Sequence, residues 1–350
     1  MKTAVVGGTG YGAVELIRLL DKHPMVQLES IVSHSQSGTE IHAVYPHLSN
    51  IVHLTMDEWN IQNLHQQVDI VFFATPAGVS KELLPQCREY DLQCIDLSGD
   101  FRLASREIYE TWYGKAAPAT AFLQEAVYGL TEIFAADIKQ SRLISNPGCY
   151  PTAALLGLIP LVKNRLIDLG SIIIDGKTGV SGAGRSVSLG THFSEVNENV
   201  KAYKIGSHQH IPEIEQYINA VLPEADAEKD VKVTFSAHLL PMTRGIMCTM
   251  YADLTAPVTT AELGRLYAQF YDGHPFVRVR PEGILPATKE VCGSNYCDIG
   301  IHADERTGRV TIVSVIDNLV KGAAGQAVQN MNVVNGWDVT AGLTDIPLYP

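Results

Sequence analysis

Five short apolar runs punctuate the first 150 residues, at 2–6, 28–32, 69–74, 94–97 and 143–145, with helical patterns between them. Such runs, joined by crossovers of roughly a dozen residues or more, are what a parallel sheet with helices on its faces requires. Each run ends in small or turn-forming residues: Gly7-Gly8-Thr9-Gly10, Ser33-His34-Ser35, Thr75-Pro76-Ala77-Gly78, Ser98-Gly99-Asp100 and Asn146-Pro147-Gly148. In an open parallel sheet the ligand crevice lies beyond the carboxyl ends of the strands, so these five loops are expected to face one site.

The rhythm changes after a helix that the pattern starts near Pro151. Runs at 172–175, 231–240, 246–254, 277–280, 298–303 and 310–315 are longer, and several alternate apolar with polar residues. That pattern predicts a mostly antiparallel sheet with one solvated or interface face, covered on the other by helices at 212–222 and 260–271. An apolar helix at 319–334 is expected to return to the first domain. The fold class is therefore α/β, with a Rossmann-type parallel-sheet domain plus an α+β domain. The first is discontinuous, at 1–148 and 319–350, and the second domain spans 149–318; 350 residues are long for a single core.

A formal charge of −12 argues against broad nucleic-acid or anionic-membrane binding and leaves small anionic molecules as partners. No apolar run approaches the roughly 20 residues that span a bilayer. The chain enters a strand pattern at once, which reads as no signal peptide and a cytoplasmic location. Six cysteines without a CxxC pair predict reduced thiols and no metal site.

Between the first run and a helix at 14–20 lies Gly7-Gly8-Thr9-Gly10-Tyr11-Gly12-Ala13. Glycines there allow a tight turn and close backbone approach to a pyrophosphate, whose charge the helix N-terminus stabilises. The second run ends in Ser33-His34-Ser35, where an NAD enzyme commonly carries an acidic residue for the ribose hydroxyls. Hydroxyls and an imidazole would accommodate a 2′-phosphate, so NADP is the expected cofactor. Its candidate contacts are Gly7, Thr9, Gly10, Tyr11, Gly12, Ser33, His34 and Ser35, with Thr75 and Pro76 from the third loop.

Cys149 follows Asn146-Pro147-Gly148 at the junction of the fifth run and the next helix. Exposed amides at a helix N-terminus favour a thiolate. A thiolate beside a nicotinamide can take an acyl group as a thioester, which hydride then reduces to an aldehyde. The proton donor this needs is expected from His208 or His210, a pair standing just before a helix.

Taken together, Gly7-Gly-Thr-Gly-Tyr-Gly-Ala, Leu97-Ser-Gly-Asp-Phe-Arg, Tyr128-Gly-Leu-Thr-Glu, Ser145-Asn-Pro-Gly-Cys-Tyr-Pro-Thr, Gly176-Lys-Thr-Gly-Val-Ser-Gly-Ala-Gly-Arg, His208-Gln-His-Ile-Pro-Glu and Asp317-Asn-Leu-Val-Lys-Gly-Ala-Ala-Gly-Gln resemble the N-acetyl-gamma-glutamyl-phosphate reductase family. The resemblance implies NADPH-dependent reduction of N-acetyl-glutamyl 5-phosphate to the 5-semialdehyde, the third step of arginine biosynthesis, by a homodimer or homotetramer. It implies Cys149 as nucleophile and favours His210 over His208 as acid/base. It offers Arg102, Asn146, Ser181 and Arg185 for the substrate, with Ser181, Gly182 and Asn318 also toward the cofactor. Two departures stand out: Ala13 closes the glycine fingerprint, and His34 stands where the family often has arginine. A related acyl-phosphate reductase, such as aspartate-semialdehyde dehydrogenase, is the competing reading.

Overall fold

The structure is a computed structural model and describes every residue except Ala227 and Pro350. The chain forms two compact units, Met1–Pro147 with Ala323–Thr344, and Gly148–Gly322 with the residues from Asp345 on.

The first unit is built on six strands: β1 (Lys2–Val6), β2 (Gln27–Val32), β3 (Ile70–Phe73), β4 (Gln93–Asp96), β5 (Val127–Tyr128) and β6 (Leu143–Ser145). They lie in the order β2-β1-β3-β4-β6-β5, each parallel to its neighbours. β3 reads Ile-Val-Phe-Phe and is buried at every position, because apolar clusters cover both faces of the sheet. Val71 and Phe73 join Ala4, Val6 and Leu84 in one cluster, while Ile31 packs with Ile17, Ile41 and Met56 in another. The strand order reverses at β1, which puts the loops after β1 and β3 at the switch point where such sheets hold ligands.

The last helix of this unit, Gly325–Val334, departs from the apolar helix expected at 319–334. Gln326, Gln329, Asn330 and Asn332 are all buried. They are buried because they satisfy other buried polar groups. Asn330 donates to the carbonyl of Gly129 at 2.8 Å and to Asn146 Oδ1 at 3.0 Å, and accepts from the Thr131 hydroxyl at 2.6 Å. Gln326 donates to the same Gly129 carbonyl and to Thr131. A side chain at Gly129 would start 2.2 Å from the Asn330 amide, so the close approach needs glycine there. The segment before it, Val320–Ala324, is wound as a π-helix.

The second unit carries β7 (Ile173–Thr178), β8 (Lys201–Tyr203), β9 (Thr234–Leu239), β10 (Ile246–Asp253), β11 (Val277–Val279), β12 (Cys297–Asp304) and β13 (Arg309–Ile316), in the order β11-β12-β13-β10-β7-β9-β8. The sheet is mixed: β11 with β12 and β7 with β9 are parallel, and the other neighbours are antiparallel. β10 alternates buried and half-buried residues along its whole length. Its buried side meets the helix Cys149–Lys163, close enough that a side chain at Gly157 would start 2.3 Å from the Met250 methyl.

That helix begins at Cys149, two residues before the expected start, with Gly148 as an extended N-cap. Pro151 still sits in the first turn, where its missing N–H costs nothing. Leu348 donates its backbone N–H to the Cys292 carbonyl, so the tail from Asp345 belongs with the second unit, and so do residues 319–322. Among the described residues, no helix is long and apolar enough to cross a membrane.

Candidate active site

In the first unit the glycine loop runs from β1 into the helix Tyr11–Asp21. Gly7 has φ +93°, and a side chain there would start 2.5 Å from the Ala74 carbonyl oxygen and 3.2 Å from Thr75 Cγ2. Only glycine permits that turn and that approach. A Cβ at Gly12 would meet open space, and Gly10 provides no side-chain cap to the helix. The first-turn amides therefore remain available to an anion. The carbonyl of Thr9 is held by the Tyr45 hydroxyl at 2.9 Å. Thr75 Oγ1, beside Gly7, is buried with no hydrogen-bond partner among the described residues. An orphaned hydroxyl next to an uncapped glycine loop fits a polar ligand such as a dinucleotide. Ser33 is buried with its N–H on the Asp57 carbonyl, whereas His34 and Ser35 are exposed after β2, and Pro76 is exposed after β3.

Two candidate substrate residues of this unit are bonded to backbone groups. Arg102 is nearly buried and donates from Nε to the Asn146 carbonyl at 2.9 Å and from Nη2 to the Leu97 carbonyl at 2.8 Å. Asn146 is fully buried, with its amide donating to the Ala323 carbonyl and its oxygen accepting from Asn330. Both side chains thus bind backbone carbonyls around the loop before Pro147.

The second unit assembles the thiol and the histidines. Cys149 is half-buried at the first position of its helix. The N–H of Gly148 donates to the Glu213 carboxylate at 2.8 Å. Glu213 is fully buried, one turn into the helix His210–Asn219, which starts two residues earlier than expected. The histidine helix is thus tied to the cysteine turn by one carboxylate. Gly322, in the π-helix, lies against Cys149: a side chain there would start 2.9 Å from its Cβ.

His208 and His210 are both nearly buried, with ring centroids 4.7 Å apart. His208 is enclosed by the rings of Tyr150, Tyr203 and Phe235 at 5.6, 5.6 and 5.3 Å. Tyr150 can stand there because residue 176 is glycine; any side chain would start 2.6 Å from its ring. The Tyr203 hydroxyl donates to the Tyr150 hydroxyl at 3.3 Å. His208 Nδ1 accepts the backbone N–H of His210 at 3.1 Å. Burial, with a smaller push from Lys204, lowers the His208 imidazole to about 4. It is therefore neutral at neutral pH with its proton on Nε2.

Ser181 and Asn318 are both buried, and Asn318 donates to the Ser181 hydroxyl at 2.9 Å while accepting the Gly245 N–H at 2.8 Å. Gly182 is exposed and packs near Thr178, and Arg185 lies on the exposed stretch beyond it. Sequence reasoning missed Glu213, although it closes the quoted His-x-His-x-Pro-Glu string. It also missed Arg244, a partly exposed guanidinium 3.5 Å from the buried Asp317 carboxylate and next in sequence to Gly245. No short motif marks Arg244. Among the described residues, no group of three or more His, Cys, Asp and Glu is placed to hold a metal.

Residues 2–141 match the semialdehyde dehydrogenase NAD-binding domain family, and residues 149–318 match the semialdehyde dehydrogenase dimerisation domain family. The N-acetyl-gamma-glutamyl-phosphate reductase of Oceanobacillus iheyensis is 55% identical over 349 residues, covering 100% of this chain and 99% of that protein. The same enzyme of Bacillus subtilis is 52% identical over 350 residues, with both chains fully covered. Among solved structures, aspartate semialdehyde dehydrogenase II of Vibrio cholerae, complexed with ASA, superposes with a TM-score of 0.71 at 16% identity, over 96% of this chain and 98% of that one. Aspartate semialdehyde dehydrogenase of Candida albicans, with NADP, gives 0.69 at 16% identity, over 95% and 98%. At such low identity these two share the fold.

Proposed function

The chain belongs to the N-acetyl-gamma-glutamyl-phosphate reductase family, and from that premise we propose that it reduces N-acetyl-glutamyl 5-phosphate through a thioester on Cys149, in the third step of arginine biosynthesis. The observation that carries the thiol's role is its place: first in a buried helix, with Gly148 bonded to the carboxylate of the histidine helix.

The Cys149 thiolate attacks the acyl carbon. The tetrahedral adduct collapses as phosphate leaves with the pair from the broken C–O bond. Ser181, Arg185 and Arg244 bring hydroxyl and guanidinium donors from the same unit to the anionic substrate, beside the exposed Gly182. The glycine loop, Ser33, His34, Ser35, Thr75 and Pro76 would hold NADPH, which would supply the hydride that reduces the thioester carbon. The oxyanion formed there takes its proton from His210; as the C–S bond breaks, that proton returns to His210, the aldehyde C=O forms and Cys149 leaves as the thiolate. The burial that lowers the His208 imidazole to about 4 favours His210 for this role. Asn318 orients Ser181. Arg102 and Asn146 set the backbone before the nucleophile. The chain works as a homodimer or homotetramer, and the dimerisation-domain match over 149–318 supports its assembly.

The reverse reaction tests this reading: NADP reduction by N-acetyl-glutamate semialdehyde and phosphate, with wild type and Cys149→Ser. Phosphate-dependent NADPH formation should fall by at least about 10³-fold in the variant. Turnover of aspartate semialdehyde alone would transfer the assignment to that neighbouring activity.

A further inference from the structure

The reaction steps leave Ser98-Gly99-Asp100 without a role, yet the Asp100 carboxylate is fully buried and heavily hydrogen-bonded. Its two oxygens accept the Gly78 N–H at 2.7 and 2.8 Å. They also accept the Lys81 N–H at 3.1 Å, the Ser80 hydroxyl at 2.9 Å and the Tyr109 hydroxyl at 2.6 Å. The carboxylate stands at the N-terminus of the helix Ser80–Arg88, where helix amides favour an anion. Neighbouring positions serve the same grip. Ser98 Oγ lies 2.8 Å from Ser80 Oγ. Gly99 leaves room for Tyr113, whose hydroxyl would be 2.2 Å from any side chain at 99 and whose ring stacks on Tyr109 at 4.6 Å. Burial, and then the Asp100 charge, push the adjacent Asp96 carboxyl up to about 7.

What this carboxylate grips is the turn after β3. Gly78 has φ +95°, and Lys115 closes the turn from outside by donating to the Ala77 carbonyl. The same turn begins with Ala74 and Thr75, the residues that crowd Gly7 in the glycine loop. A turn with one left-handed glycine and an exposed proline has little stiffness of its own, so its shape depends on what holds its amides.

We propose that Asp100 is a positioning residue for cofactor binding, its buried carboxylate holding the 75–79 turn in the form that receives NADPH. This rests on the reading that the turn after β3 lines the NADP site. Acceptance of the Gly78 and Lys81 amides is the mechanism, so Asp100→Asn, which keeps the shape but loses an acceptor oxygen and the charge, should loosen the turn.

The test measures the dissociation constant of NADPH by fluorescence titration, the melting temperature, and the rate at which iodoacetamide alkylates Cys149. Asp100→Asn should weaken NADPH about tenfold or more while the alkylation rate stays within about twofold of wild type. Should that variant not fold, Tyr109→Phe and Ser80→Ala, each removing one donor to the carboxylate, should weaken NADPH by smaller steps with alkylation again unchanged. Unchanged NADPH affinity in the folded variants would overturn the proposal. Affinity and alkylation falling together with the melting temperature would also overturn it, leaving only a structural role. Wild type that fails to bind NADPH would instead remove the reading beneath it.

Discussion

At the residue scale, the two histidines show how little spacing alone decides. Cys149 was legible, because Asn-Pro-Gly before it and Pro151 after it mark a sharp turn into a helix. His208 and His210 were legible only as a pair. What separates them is a backbone hydrogen bond and the aromatic rings of positions 203 and 235, which only folding brings together. The separation has a pH consequence. His208 is depressed to about 4 from an ordinary value near 6.5, so it remains neutral as the pH falls through 6 and protonates only near 4. Any stability it contributes by being neutral is complete above about pH 6.5 and is lost as pH falls through about 4. An acid limb of kcat/KM well above pH 4 is therefore not that of His208. His210→Asn should lower kcat by about 10²–10⁴-fold and abolish that limb. His208→Gln should lower activity but leave the limb where it is. A limb that survives in His210→Asn and vanishes in His208→Gln would reverse the assignment.

At the element scale, the parallel strands of the first unit were readable from short apolar runs ending in turn residues, and most observed strands agree within a residue or two. The two-residue β5 was not readable, since a run of Val127-Tyr128 carries no period. Nor was the winding of 319–334, which looks like one apolar helix. There the Asp317 carboxylate accepts the N–H groups of Leu319 and Val320 and, through its other oxygen, that of Gly293. Those bonds fix the start of the segment, and the π-helix Val320–Ala324 carries Gly322 onto Cys149. Such wide turns commonly mark functional sites. A methyl group at 322 must displace either the π-helix or the first turn of the cysteine helix, because it would meet Cys149 at both Cβ and Cα. Gly322→Ala should slow both alkylation of Cys149 and turnover by about tenfold or more, while NADPH affinity stays unchanged. Gly264→Ala, at a helical glycine with open space around it, is the matched control. Wild-type alkylation in Gly322→Ala would show that the contact does not constrain the thiol.

At the scale of the whole molecule, the remaining question is what covers the second sheet. Its Cys248 and Met250 side lies under the cysteine helix. On the opposite side, Val313, Val315 and Met247 pack with Val291 and Tyr296. Farther along that side, Thr249, Tyr251, Asp175 and Thr311 stay half-buried, and Ile173 is 40% exposed. The alternation of β10 displays this face in the sequence, but sequence alone could assign it equally to solvent or to an interface. The dimerisation-domain match favours the interface. Tyr251 and Ile173 set among Thr249, Thr311 and Asp175 suit a face that is buried only on assembly. A charge placed there should then act on assembly before it acts on the fold. Tyr251→Glu should shift the sedimentation profile toward monomer at micromolar protein and make the melting temperature depend more steeply on concentration, because dissociation removes a stabilising partner. Asp253→Asn, at the end of the same strand, should do neither. If Tyr251→Glu sediments as wild type does, the copies meet through another surface and the half-buried face belongs to solvent.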